Sequence, residues 1–275
     1  MRQRAAGILP FAIVLAVLLA CTPVPPTRTS PPSAGPVPTG TAGAIASSPT
    51  APATARPVYG LAFGIDYAHP EQYRAPGEQS RISDPAVLKS LRRSEQSLAH
   101  LGDIYRWLGR EFTPYSAGGK TIGMVTVDQL LAERRLGGCH DFALVYAAVA
   151  RELGYPAVMA RTDSIAWVKR FQAGEQGPYV GHVFVEVYLA GQWVLVDSTN
   201  GWYVADGYNP AQPVIPLKEL FGETYGLYME RKGVDIWGFG LHSPADSNQA
   251  MEALARQLDL KTLVYPRYVF QRFTQ

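Results

Sequence analysis

Cysteine is scarce in this sequence: the 275 residues include only Cys21 and Cys139. Two cysteines allow at most one intramolecular disulfide, so a disulfide framework and a cysteine-rich zinc site are both excluded. Charged residues are also few, at 17%, against 47% apolar residues. That balance is typical of a globular protein and excludes a wholly disordered chain or a coiled coil.

A surplus of basic residues is missing as well. The formal net charge of +2 depends on four of the 25 basic residues, which precede Tyr59 in a stretch without any acidic residue. From Tyr59 onward, 21 basic residues stand against 23 acidic ones. A domain that binds nucleic acid needs a positive surplus, so we expect no nucleic-acid partner.

The N terminus lacks an apolar run long enough for a membrane-spanning helix, which needs ~20 residues. Arg2 and Arg4 are followed by a shorter run, from Ile8 to Ala20. A basic start followed by a short apolar run is typical of a secretory signal peptide. We therefore assign residues 1–20 to a signal peptide.

The end of that run, Leu18-Leu19-Ala20-Cys21, resembles the lipobox of bacterial lipoproteins. The resemblance implies that Cys21 becomes the first residue of the mature protein and carries lipid, whose acyl chains attach it stably to a membrane. Because Thr22 rather than aspartate follows, it implies the outer membrane in a bacterium with two membranes, and otherwise the outer face of the cell membrane. An ordinary signal peptide with an incidental cysteine is the alternative.

Residues 22–57 contain ten prolines and no acidic residue. Such a segment cannot bury enough apolar surface to fold. We therefore interpret residues 21–58 as a lipidated cysteine followed by a disordered tether, which spans up to ~110 Å at ~3.1 Å per residue when extended. Residues 59–275 then form one domain.

Helix signals dominate the first half of that domain, and strand signals its middle. Asp84-Pro85 opens an apolar pattern of helical period, Thr126 and Gln129 form a capping-box pattern, and Gly154 ends a third apolar run. Two extended segments then flank the turn Ala190-Gly191. Helices followed by an antiparallel hairpin predict an α+β fold rather than a parallel α/β sheet. The predicted helices cover about 85–109, 126–135, 139–153 and 247–258, and the predicted strands cover 156–161, 179–189 and 192–197.

Cys139 follows a glycine pair and begins the third predicted helix. At that position the backbone N–H groups and the helix dipole favour a thiolate over a thiol, which suits a nucleophile. A free cysteine is more often a small buried hydrophobe, so the interpretation depends on its partners.

The register of the predicted hairpin brings together two candidate partners for Cys139, namely His182 and Asp197. A two-residue turn at Ala190-Gly191 places Phe184 opposite Asp197, and it makes His182 and Asp197 diagonal neighbours on one face, ~7–8 Å apart between Cα atoms. An odd-length turn or a bulge would put them on opposite faces. Cys139, His182 and Asp197 together predict a Cys-His-Asp triad in which His182 is the base and Asp197 orients it.

Four sequence blocks follow one another in the chain: GCHDFA at 138–143, RELGYPA at 151–157, GHVFVEVY at 181–188 and WVLVDST at 193–199. Together they resemble the core of the transglutaminase-like superfamily, over about residues 101–199. The resemblance implies a papain-like α+β fold with Cys139 as nucleophile, His182 as base and Asp197 as orienting acid. The sequence departs from the family at Phe184, where tryptophan is frequent.

Weaker candidates lie next to these residues. Trp202 and Tyr203 follow Asp197 closely, and we consider them for substrate binding, with plain packing as the alternative. His140 and Asp141 adjoin the cysteine, but consecutive residues rarely supply more than one or two metal ligands. We therefore expect no metal site and no cofactor.

The sequence thus predicts a lipid-anchored cell-envelope enzyme that cleaves or transfers acyl groups of protein or peptide amides through Cys139. Water as acceptor would make it a protease or amidase, and an amine would make it a crosslinking transglutaminase or another acyltransferase. One alternative is a non-catalytic module that binds a peptide or an envelope protein. A further alternative is an enzyme that uses a small acyl thioester.

Overall fold

The computed structural model describes residues 59–115, 119–216 and 226–273. The predicted signal peptide, Cys21 and the predicted tether lie outside the described residues. Within these ranges, no helix combines the length and the apolar character that crossing a bilayer requires.

Helices begin where a side chain caps the N–H groups of the first turn. Ser97, Ser164 and Ser243 each accept a hydrogen bond from a backbone N–H in that turn, and Thr126 and Gln129 form the predicted capping box. The α-helices are α1 Leu98–Glu111, α2 Val127–Glu133, α3 Cys139–Glu152, α4 Ile165–Gln172 and α5 Pro244–Gln257, and 3-10 turns cover Pro70–Arg74, Pro85–Leu91 and Leu260–Thr262.

The prediction of one continuous helix from Pro85 to about Gly109 is wrong. The chain forms a 3-10 turn that ends at Leu91, continues with extended backbone at Arg92, and starts α1 only at Leu98. Only polar residues stand between Leu91 and Leu98. A helix there would have no apolar face to bury, and packing of such a face supplies most helical stability in proteins.

One antiparallel sheet dominates the β structure. The strands are β1 Leu61–Ala62, β2 Ile65–Asp66, β3 Thr113–Pro114, β4 Arg135–Leu136, β5 Ala157–Ser164, β6 Gly181–Leu189, β7 Gln192–Asp197, β8 Trp202–Val204, β9 Val214–Ile215, β10 Leu227–Gly233 and β11 Gln271–Arg272. The main sheet has the order β11-β8-β7-β6-β5-β10-β9, with antiparallel neighbours throughout. The predicted α+β class is confirmed.

The β6–β7 hairpin has the predicted register. Its turn residues, Ala190-Gly191, both have positive φ, 51° and 86°, as a tight two-residue hairpin turn requires. The ladder continues from this turn to the pair Val185 and Val196. Beyond that pair, His182 and Asp197 lie at the same end of the two strands.

The sheet is covered on both faces. All side chains of α3 from His140 to Arg151 are buried, and Val185 and Val194 of the sheet share one apolar cluster with α1, α2 and α3. Phe184, on the opposite face, belongs to a second cluster that includes residues of the segment following Tyr59. Close packing of this kind fixes the start of α3 relative to β6, and the candidate site lies where the two meet.

A buried ion pair holds that N-terminal segment on the second face. Lys232 Nζ of β10 lies 2.5 Å from Glu186 Oε1 of β6, and neither side chain is exposed. Lys232 also donates to the Tyr67 hydroxyl at 2.8 Å and to the Pro210 carbonyl at 2.7 Å. The hydroxyls of Tyr67 and Tyr208 donate to Glu186. The Lys232 ammonium and the Glu186 carboxylate therefore each have several hydrogen-bond partners. A protein interior tolerates buried charges when they are paired in this way.

Candidate active site

Cys139 is the first residue of α3. The carbonyl of Gly138 accepts the N–H groups of Asp141 and Phe142 at 3.0 and 3.2 Å, which closes the first turn. The first N–H groups of a helix have no acceptor inside it, and together with the dipole they stabilise an anion at this position. The Cys139 side chain is half-buried and lines a cavity of about 580 Å³.

His182 and Asp197 meet as the hairpin register predicts. Nε2 of His182 lies 3.0 Å from Oδ1 of Asp197, and the two side chains are only 4% and 1% exposed. Oδ1 also accepts the N–H groups of Thr199 and Asn200 at 3.1 Å, and Oδ2 accepts the Asn200 amide at 3.0 Å. Phe184 packs edge-on against the imidazole, with 4.7 Å between ring centroids. The carboxylate and the imidazole are thus both held in one orientation.

Cys139 completes the arrangement through a hydrogen bond to His182. Burial lowers the pKa of His182, but the charge and hydrogen bond of Asp197, together with Cys139, raise it to about 10. A protonated imidazole beside a thiol favours the thiolate. The structure therefore brings the three predicted triad residues together.

A second histidine, His140, contacts the same sulfur. Its Nε2 lies 3.1 Å from Asp141 Oδ1 and 3.0 Å from Thr121 Oγ1. Burial lowers the pKa of His140, but Asp141 and a hydrogen bond to Cys139 raise it to about 9. Adjacency to Cys139 is the only signal of this role in the sequence, where His140 and Asp141 suggested at most a metal site. Among the described residues, no group of three or more His, Cys, Asp or Glu side chains is placed to hold a metal ion.

The cavity beside Cys139 has basic and apolar walls. Lys120 and Arg161 line it together with the two histidines, and none of its described lining residues is an aspartate or glutamate. An ion pair with Glu230 and a hydrogen bond to Ser247 hold the Arg161 side chain in position. The apolar wall combines distant parts of the chain, namely Ile122, Val183, Ile236, Phe239 and Met251. The cleft thus offers apolar contact and positive charge next to the thiol.

Trp202 and Tyr203, which the sequence suggests for substrate binding, do not line this cavity. Both lie in β8 and contact the C-terminal strand. The Arg272 guanidinium lies over the Trp202 indole at 4.3 Å, and Tyr203 donates to Gln271 at 2.6 Å. Their closeness to Asp197 in sequence does not bring them to the thiol, because β8 pairs with β7 on the side away from β6.

Comparison with known proteins finds a family match and weak structural similarities. Residues 86–198 match the family model of the transglutaminase-like superfamily. A candidate cysteine protease from Cytophaga hutchinsonii aligns with 19% identity and a TM-score of 0.40, covering 61% of this chain and 47% of the other. LapG from Legionella pneumophila aligns with 12% identity and a TM-score of 0.31, covering 65% and 92%. The chain thus spans about half the length of the first of these proteins. No curated protein matches.

Proposed function

Residues 86–198 of this chain belong to the transglutaminase-like superfamily, and from that premise we propose that the protein is a cysteine-dependent enzyme acting on protein or peptide amides. It cleaves or transfers the acyl group through a thioester on Cys139. The observation that carries the proposal is the convergence of Cys139, His182 and Asp197 at one cavity. A nucleophile, a base and a group that orients the base are the parts that covalent acyl transfer needs.

The first half of the reaction forms the acyl-enzyme. His182 takes the Sγ proton of Cys139, and the thiolate attacks the amide carbonyl carbon. The carbonyl π electrons move to the oxygen, and the Cys139 backbone N–H donates to the resulting oxyanion. Collapse of the tetrahedral intermediate breaks the C–N bond, and His182 gives its proton to the leaving amine.

The second half regenerates the thiol. An acceptor attacks the thioester carbonyl, His182 removes its proton, and the C–S bond breaks with Cys139 as the leaving group. Water as acceptor gives net hydrolysis, and an amine gives acyl transfer. Asp197 stabilises the imidazolium in both halves through its contact with Nε2. The partly buried thiol lies on the wall of the cavity, where a substrate in the cavity can reach it.

Replacing Cys139 by alanine is expected to abolish turnover, with a loss of about 10⁴-fold or more in kcat/KM, because no other group supplies the covalent intermediate. The measurement is release of amine from a library of quenched fluorogenic peptides, incubated with the purified wild-type protein and with the Cys139→Ala variant. Circular dichroism confirms that the variant is folded.

Retained turnover in Cys139→Ala would exclude the proposal. A folded wild-type protein whose thiol resists iodoacetamide would instead support the non-catalytic binding module, since a nucleophile must be accessible and ionised. Turnover of small acyl thioesters without turnover of peptides would support the small-molecule alternative.

The proposal includes attachment of the enzyme to the cell envelope through lipid on Cys21, on the support of the lipobox-like sequence. Bacteria that express the full chain and receive an alkyne-tagged palmitate are expected to label the wild-type protein and the Cys139→Ala variant. Labelling is expected to disappear in Cys21→Ala. Label that persists in Cys21→Ala, or a wild-type protein without label, would contradict this part of the proposal.

A further inference from the structure

Two histidine–aspartate pairs flank the sulfur of Cys139, and the mechanism above uses only one of them. We infer that His140, held by Asp141, is a second imidazolium on the Cys139 thiolate and keeps it ionised independently of His182. This inference deepens the proposed function and rests on it for its catalytic meaning. Thiol ionisation itself can be measured without any amide substrate.

The second pair has nearly the same nitrogen-to-oxygen distance as the first, but it is an ion pair without the hydrogen-bond geometry of the first. His140 Nε2 lies 3.1 Å from Asp141 Oδ1, against 3.0 Å between His182 Nε2 and Asp197 Oδ1. His140 is 4% exposed and Asp141 is fully buried. The backbone N–H of Gly137 donates to Asp141 Oδ2 at 2.7 Å, which fixes the carboxylate. His140 also hydrogen-bonds to Cys139 and lines the same cavity.

The charges favour two imidazoliums at this site. A thiolate and the carboxylates of Asp141 and Asp197 leave three negative charges in a largely buried volume, where an uncompensated charge is costly. His182 alone neutralises one of them. The pKa of His140 follows the same logic, because burial lowers it, whereas Asp141 and Cys139 together raise it to about 9. These two neighbours thus favour the protonated form of His140.

Two other basic groups line the cavity, and they favour the thiolate but disfavour a protonated imidazole. Lys120 comes from the loop before α2 and Arg161 from β5. The part of α5 that lines the cavity contributes only uncharged side chains, namely Pro244, Ser247, Asn248 and Met251. No described lining residue adds a negative charge other than the thiolate itself.

The two histidines consequently have different tasks. Thr121 hydrogen-bonds to His140 at Nε2, and the Asp141 carboxylate lies 3.1 Å from the same atom, so the charge of His140 acts on the sulfur without a proton having to move. His182 then transfers protons to and from the leaving and attacking groups. Removing His182 should abolish turnover but leave an ionised, reactive thiol, whereas a single Cys–His pair would lose both properties together.

The test is the pH dependence of the iodoacetamide alkylation rate, measured on the full-length protein in detergent for the wild type, His182→Ala, His140→Asn and the double variant. We expect the wild-type midpoint well below the ~8.5 of free cysteine. His182→Ala is expected to keep a midpoint at least about one pH unit below that value, His140→Asn to shift upward by about one unit, and the double variant to return to ~8.5.

A midpoint of ~8.5 in His182→Ala would overturn the inference, because one histidine would then account for the whole effect. This result alone decides the matter if His140→Asn fails to fold. His100→Asn is the matched control: it removes another buried histidine, which contacts Leu91 and Tyr155 and not the thiol, and its profile should equal that of the wild type. A wild-type protein that turns over no amide would overturn the proposed reaction, and a low midpoint in His182→Ala would still support the second imidazolium.

Discussion

Replacing Asp197 with asparagine is expected to lower kcat/KM on an amide substrate by roughly 10³- to 10⁴-fold, because an amide cannot stabilise the imidazolium that forms during proton transfer. The Asp197 carboxylate lies 3.0 Å from His182 Nε2 and is almost fully buried. Asparagine has nearly the same shape, and its carbonyl oxygen still accepts the N–H groups of Thr199 and Asn200. The effect should therefore fall on catalysis far more than on folding.

The same variant has a predictable pH signature. In the wild type, burial lowers the pKa of His182 and Asp197 raises it, with the balance at about 10. Without the carboxylate, burial remains and the pKa of His182 falls. The imidazolium is then lost at a lower pH, so the alkaline limb of the kcat/KM profile should move toward neutral pH.

The pH–rate profiles of wild type, Asp197→Asn and Asn200→Ala check this prediction. Asn200→Ala removes one hydrogen bond to Oδ2 and leaves the charge, so a loss of only about tenfold is expected. An alkaline limb that stays in place in Asp197→Asn would contradict the assigned role of Asp197.

Replacing Lys232 with methionine is expected to lower the free energy of unfolding by about 3–5 kcal/mol, the usual cost of stranding one charge of a buried pair. Among the described residues, Glu186 would keep only the hydroxyls of Tyr67 and Tyr208 as partners inside the core. For a domain of this size, that loss corresponds to a fall in Tm of roughly 10 °C. Thermal unfolding followed by circular dichroism measures it.

Two further variants define the cause of that loss. Adding Glu186→Gln to Lys232→Met removes the stranded charge while keeping an acceptor for the tyrosines, so it should recover part of the stability. Lys89→Met replaces an exposed lysine and should change the free energy of unfolding by less than about 0.5 kcal/mol. A Lys232→Met protein that melts within 2 °C of the wild type would show that the ion pair contributes little.

The features predictable from the sequence are those that depend on short segments. The turn Ala190-Gly191 sets the hairpin register, and the register brings His182 to Asp197. The capping box at Thr126 and the glycines before Cys139 likewise mark helix starts through local chemistry. In each case the residues that decide the structure are neighbours along the chain.

Features that depend on tertiary contact were not predictable in this way. The cavity wall includes Phe239 and Met251, which no local pattern connects to the thiol. α4, which Ser164 caps, and β10 are also absent from the predicted elements. The partnership of His140 with Thr121 requires the loop before α2 to fold over α3. Only the packed structure provides these contacts.

The base and its orienting acid are 15 residues apart, across a single hairpin, whereas β5 and α4 lie in the chain between them and Cys139. A hairpin closes by itself in about 1–10 μs, but bringing α3 onto β6 closes a longer loop at a higher entropic cost. The contact between His182 and Asp197 is therefore local in sequence, whereas Cys139 reaches His182 only through tertiary packing. In a newly synthesised chain, Cys139 accordingly has the reactivity of an ordinary cysteine. Its sulfur becomes fully nucleophilic only when the domain folds and brings His182 to it.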